Sequence, residues 1–114
     1  MALYRKLNRD TKQRRSILSG LTKTVLVNGK VETTEERAKE VRKFVDKMIT
    51  YGKKGDLNSR RKALAFLEND TETVKHVFDE LAPKYNDRQG GYTRIIKLNE
   101  RRGDDALIVS LELV

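Results

Sequence analysis

The hydrophobic period of this chain changes at Pro83, and that change confines it to a mixed fold with most of its helices upstream of its sheet. Before it, apolar residues recur at three- and four-residue spacing in four stripes. Ile17, Leu18, Leu21 and Val25 make the first; Ala38, Val41, Phe44, Val45, Met48 and Ile49 make the second. Leu57, Ala63, Leu64 and Leu67 make the third, and Val74, Val77, Phe78 and Leu81 the fourth. Pro83 has no amide hydrogen and crowds the preceding turn, so it is expected to block continuation of the fourth helix. Beyond it, Tyr92–Leu98 and Leu107–Leu113 are β-branched or aliphatic runs that read as two strands. The turn-rich segment Asn99–Asp104 between them makes the pair an antiparallel hairpin.

Boundary residues agree with this division. Asp10 with Gln13 resembles a capping box opening the first helix, and Asn28-Gly29 supplies its stop. Lys30 to Thr33 leaves room for a short strand before Thr33 and Glu36 form a second capping box. The helix that follows is expected to end near Gly52, and Asp56 and Asp70 are placed to cap the third and fourth. The fold class is therefore α+β, in two layers: a short sheet (a C-terminal antiparallel hairpin plus one short strand) covered by about four helices. Residues 1–10 lack either period and form an extended basic N-terminal arm, while residues 11–114 form one domain.

Charge is distributed unevenly. Residues 1–31 hold eight basic side chains and one acid, residues 32–82 hold eleven of each, and residues 83–114 hold six against five. A basic segment on an electrically balanced body points to a polyanionic partner. An anionic membrane would need an apolar helix face left free for lipid, but the stripe of the first helix is committed to a core. No apolar run approaches the ~20 residues of a membrane span or the 7–15 of a signal-peptide core, so a soluble, unexported protein is expected.

The chemistry-bearing residues exclude more than they suggest. With no cysteine, thiolate metal sites, disulfides and cysteine nucleophiles are absent. His76 is the single histidine, flanked by Lys75 and Val77, with no second ligand of its kind. Asp104 and Asp105 are adjacent turn acids, and Gly90-Gly91 precedes a strand rather than the helix a nucleotide fingerprint requires. No catalytic residue, metal, cofactor or small-molecule substrate is expected. What remains suits RNA. Arg88, Gly90, Gly91, Tyr92 and Arg94 combine backbone freedom, bidentate arginines and an aromatic ring. Tyr92 has two readings, stacked on a base or packed in the core. Arg101 and Arg102 sit at the tip of the hairpin loop; Arg5, Lys6 and Arg9 lie in the arm; Lys12, Arg14, Arg15 and Lys23 lie along the first helix, where Arg14 must snorkel past the stripe. These are the candidate RNA contacts. A nuclease would need a convergent acid, base or metal cluster, and a DNA-binding regulator a recognition helix with a dimer surface; neither is legible.

Three motifs resemble the bacterial large-subunit ribosomal protein L17 family along essentially the whole chain. They are Tyr4-Arg5-Lys6-Leu7-Asn8-Arg9 with Gln13-Arg14-Arg15, then the run from Val31 to Arg42, then Gly90-Gly91-Tyr92-Thr93-Arg94-Ile95 with Arg101-Arg102-Gly103-Asp104. The resemblance implies an α+β domain bound to large-subunit ribosomal RNA beside neighbouring large-subunit proteins. It also implies a solvent-side position not far from the nascent-chain exit, a structural and assembly role without catalysis, and a place in the cytoplasm. Two departures stand out. Gln13 replaces a frequent histidine, and Ala106-Leu107-Ile108 replaces an Ala-Pro step. The Val31–Arg42 motif is accounted for by strand, cap and core, so its specificity as a label does not make it an RNA site.

Overall fold

Helix α1 (Thr11–Asn28) forms around a stripe of Leu18, Ser19, Thr22, Val25 and Leu26, all buried. The computed structural model describes residues 11–100 and 107–114. The arm, the expected Asp10 cap and Arg101, Arg102, Asp104 and Asp105 lie outside the described residues. Leu26 belongs to the buried face, whereas Ile17, expected there, is 44% exposed. The two buried hydroxyls are paired, as burial requires: Thr22 donates to the Leu18 carbonyl (2.7 Å) and Ser19 to the Phe66 carbonyl (3.0 Å). At the far end the Gly29 amide closes on the Val25 carbonyl (2.9 Å), and the Gly29 carbonyl accepts from the Leu113 amide (2.8 Å). The helix terminus is thereby fastened to the sheet.

Strand β1 (Lys30–Thr34) runs one residue further than expected, with Thr33 opposite Val109. The expected Thr33 capping box therefore does not form. The N-cap of α2 (Glu35–Lys54) is Thr34, in extended conformation and without a side-chain cap bond. Sheet pairing competes with capping for Thr33, and pairing wins. Along α2, Ala38, Val41, Val45, Met48 and Ile49 are buried as the spacing requires. Phe44 is half-buried and stacks on Phe66, with ring centroids 4.6 Å apart. The helix ends near Gly52 as expected, two residues beyond it. It continues to Lys54, and Gly55 caps it, donating its amide to the Tyr51 carbonyl (3.0 Å).

Helix α3 (Leu57–Phe66) is capped as expected by Asp56, whose carboxylate accepts from the Ser59 amide (2.7 Å). Ala63 and Leu67 reach the core, but Leu57 is 63% exposed. At 100° per residue it stands about 120° around the helix from Ala63, off the buried stripe. Asp70 then accepts from the Thr73 amide (3.2 Å) and hydroxyl (2.8 Å) to open α4 (Thr71–His76). Pro83 does not block the helix after Leu81. The chain passes without a break through a π-helical stretch, Val77–Leu81, into a last turn, α5 (Ala82–Lys84). The Ala82 amide bonds the Val77 carbonyl five residues back, and this wider turn accommodates the proline ring where an α-turn would crowd it.

Strands β2 (Thr93–Glu100) and β3 (Leu107–Leu113) form the expected antiparallel pair, and β1 joins β3 on its other side, giving the order β1-β3-β2. The last strand in sequence is thus the middle strand in space. Val31, Leu111 and Ile95 stand in one cross-strand row, and Val109 and Leu111 are fully buried under α1 and α2. The register of β2 shifts between Lys97 and Asn99, leaving Leu98 as the extra residue of a bulge. This is the two-layer α+β architecture.

Candidate nucleic-acid interface

Helix α1 presents three candidate cations whose side chains are described, and two of them already meet carboxylates. Arg14 pairs with Glu40 of α2, and Lys23 Nζ lies 3.8 Å from Asp70 Oδ2 at the cap of α4. Arg15 is exposed and makes no ion pair among the described residues. Lys12 falls in the first turn, its side chain outside what the structure describes, and Arg5, Lys6, Arg9, Arg101 and Arg102 lie outside the described residues altogether. Exposed pairs of this kind contribute at most about 1 kcal/mol, so each cation can exchange its carboxylate for a phosphate at small cost.

Arg94 sits on β2 directly across from Glu112 of β3, with Nη2 3.2 Å and Nε 3.3 Å from the same carboxylate oxygen. Glu112 also accepts from the Ser110 hydroxyl (3.0 Å). The serine bond, followed by the arginine, lowers the Glu112 pKa below the usual glutamate value. Arg94 is paired across the strands yet remains exposed.

The turn before β2 gathers Arg88, Gly90, Gly91 and Tyr92. Gly90 and Gly91 both adopt left-handed backbone (φ 75° and 62°), a region that favours glycine, and nothing stands within 4 Å of where a side chain would begin. Tyr92 is 2% exposed and meets the Tyr85 ring edge-on at 5.4 Å. Of the two readings open to Tyr92, the core holds the ring, and no face is left for a base. Only the hydroxyl reaches the turn. It donates to the Arg88 carbonyl (3.1 Å) and receives the Lys53 ammonium (3.1 Å), and Lys53 also donates to that carbonyl. A hydrogen bond from the Gly90 amide, aided by Lys53, pulls the phenol pKa down from its ordinary value. Tyr85, by contrast, donates to the Val114 carbonyl (2.7 Å), and burial raises its pKa.

Lys53 and Lys54 carry no distinguishing signal in the sequence, because two lysines in the last turn of a helix look like ordinary partners of the helix dipole. Only folding places them beside the glycine turn. Arg60, Arg61 and Lys62 are consecutive cations on α3, and one of them is engaged: the Arg60 guanidinium lies 4.7 Å from the centre of the Phe78 ring. His76 meets Glu80 one turn on (2.8 Å). Among the described residues, no group of three or more His, Asp or Glu side chains is placed to hold a metal ion, and no helix is long and apolar enough to cross a membrane.

One carboxylate behaves differently. Burial raises the pKa of Asp46 on α2 despite the opposing charge of Arg42 and a hydrogen bond from the Tyr92 backbone. Its Oδ1 is buried without a hydrogen-bond partner among the described residues.

Comparison with known proteins adds the family context. The sequence pattern of the family described as Ribosomal protein L17 matches residues 17–114. A protein of Thermoanaerobacter sp. (strain X514), named large ribosomal subunit protein bL17, is 59% identical over 111 residues, covering 97% of this chain and 98% of its own. The bL17 protein of Clostridium perfringens (strain SM101 / Type A) is 55% identical over all 114 residues, 100% of both chains. That of Ligilactobacillus salivarius (strain UCC118) is 54% identical over 124 aligned positions, covering 97% and 98%.

Proposed function

The chain belongs to the ribosomal protein L17 family, and on that premise we propose that it is a structural constituent of the large ribosomal subunit that binds ribosomal RNA and supports assembly. It works in the cytoplasm among other large-subunit proteins, as ligand rather than catalyst. The same proposal includes a position near the nascent-chain exit.

The observation that carries the RNA reading is the charge asymmetry: eight basic side chains against one acid in the first 31 residues, on a body that is otherwise nearly neutral. Compact RNA crowds phosphates together. Lysines and arginines threaded among them reduce the repulsion and release condensed counterions. The arm residues Arg5, Lys6 and Arg9, the α1 residues Lys12, Arg14, Arg15 and Lys23, and the turn and loop residues Arg88, Gly90, Gly91, Arg94, Arg101 and Arg102 are the proposed contacts. Tyr92 supports the turn from beneath.

Co-sedimentation with large subunits through high-salt washes tests this. Retention on the large-subunit particle is expected. Full release at salt concentrations that leave other core proteins bound, or a purified protein without affinity for large-subunit RNA, would overturn it.

A further inference from the structure

The depressions on the surface differ in the charge of their walls. The one between α1 and α2 is lined by Glu36 and Glu40 as well as Arg14 and Arg37, and the one over α4 by Glu72, Asp79 and Glu80. A third, of about 340 Å³, lies between the end of α2 and the glycine turn, lined by Thr50, Lys53, Lys54, Gln89, Gly90 and Tyr92. No carboxylate lines it. The shallow depression on the other side of Lys53, reaching Phe78 and Asn86, has no acidic lining either. Asp46, the acid that also reaches Tyr92, meets the backbone amide of that residue and is not part of the wall.

Lys53 is held in a defined position. An ammonium carries three donors, and two are spent on the Arg88 carbonyl and the Tyr92 hydroxyl. The third remains for a ligand. The Gly90-Gly91 backbone has open space where side chains would stand, which permits close approach of a phosphate.

We propose that this depression is a phosphate-binding subsite for the RNA backbone, with Lys53 as its cation, Lys54 as a second, and the Tyr92 hydroxyl as the group that positions Lys53. It rests on the RNA reading above. An open depression that carries two lysines and no carboxylate fits a sugar-phosphate backbone passing over it. An acidic peptide would be the other outcome. Tyr92 is a positioning residue here, with its ring in the core and only its oxygen at work.

The test is binding of the full-length protein to large-subunit ribosomal RNA over a salt series. Wild type is compared with Lys53→Met, Tyr92→Phe, the double variant and Lys54→Ala, each checked for folding by thermal melting. Lys53→Met is expected to weaken binding and to flatten the dependence of log K on log salt by about 0.7–0.9, one phosphate contact. Tyr92→Phe should move both in the same direction, and should add nothing in the Lys53→Met background. Wild type that fails to bind the RNA overturns the RNA reading and this subsite with it. Wild type that binds, with Lys53→Met keeping both affinity and slope, overturns the subsite alone. If Lys53→Met does not fold, unchanged slopes for both Tyr92→Phe and Lys54→Ala have the same force, as does preferential binding of an acidic peptide that RNA cannot displace.

Discussion

Gly52 and Ala82 touch with no room between them: a methyl group on Gly52 would stand 3.1 Å from the Ala82 Cβ and 3.2 Å from both the Val77 Cγ1 and the Val77 carbonyl oxygen. That carbonyl accepts the Ala82 amide in the π-helical turn, so it cannot retreat without breaking the turn that accommodates Pro83. The middle of the domain thus depends on α2 and the π-turn meeting at a residue without a side chain.

Gly52→Ala is therefore expected to destabilise the protein by about 1–2 kcal/mol, overpacking outweighing the helix propensity that alanine adds. Gly20 is the control. It also lies inside a helix but has nothing within 4 Å, so Gly20→Ala should stabilise by about 0.5–1 kcal/mol. Denaturant midpoints that move in the same direction for both would refute the packing argument.

Phe44→Ala should cost about 2–3 kcal/mol, less than a fully buried phenylalanine because the ring is half-exposed, though it loses its stack on Phe66. A urea titration giving no measurable loss would mean that α2 and α3 do not pack through this pair.

Acid should weaken the fold through Asp56, Asp70 and Glu112, whose carboxyls are all held below their ordinary values by hydrogen bonds in the folded state. Their contribution is complete above the ordinary carboxylate range and is lost as pH falls through the lowered folded values. Arg94→Ala removes one of the causes at Glu112. The titration midpoint of that carboxyl, followed by NMR, should then rise toward that of a free glutamate, and an unmoved midpoint would show that the pair does not persist in solution.

Asp46 has the opposite sign. Its folded pKa is raised by burial, so ionising it costs stability as pH climbs through the carboxylate range. Asp46→Asn should raise the denaturation midpoint at neutral pH, and the gain should fade in acid, where the wild-type carboxyl is already neutral. A gain that is the same at both pH values would point to some cause other than charge.

Deleting residues 2–10 should abolish or weaken incorporation into the large subunit while leaving the thermal melt nearly unchanged, since the buried hydrophobic side chains described run from Leu18 to Leu111. A truncated chain that no longer unfolds cooperatively would show that the arm belongs to the core.

Much of the fold was legible because its signals are local. Asp56 and Asp70 cap the helices they precede, and a carboxylate three residues before an amide needs no distant partner to do so. Val41, Val45 and Met48 are buried where the helical period places them. The misreadings fall where two signals compete: Thr33 could cap or pair, and Pro83 could end a helix or ride on a widened turn. At the candidate interface the residue types were legible, but their partners were not. Arg14, Lys23 and Arg94 are separated in sequence from Glu40, Asp70 and Glu112 by 26, 47 and 18 positions.

By itself the sequence determined the kinds of element, their order, most of the residues they bury and the uneven charge, because periodicity, caps and counts are properties of neighbouring residues. Tertiary structure alone decided that β3 lies between β1 and β2, that Tyr92 faces inward, and that Lys53 reaches the glycine turn. Each of these depends on which faces meet across the domain. That is settled by excluding water from one shared core, a property of the whole chain that no short stretch of it contains.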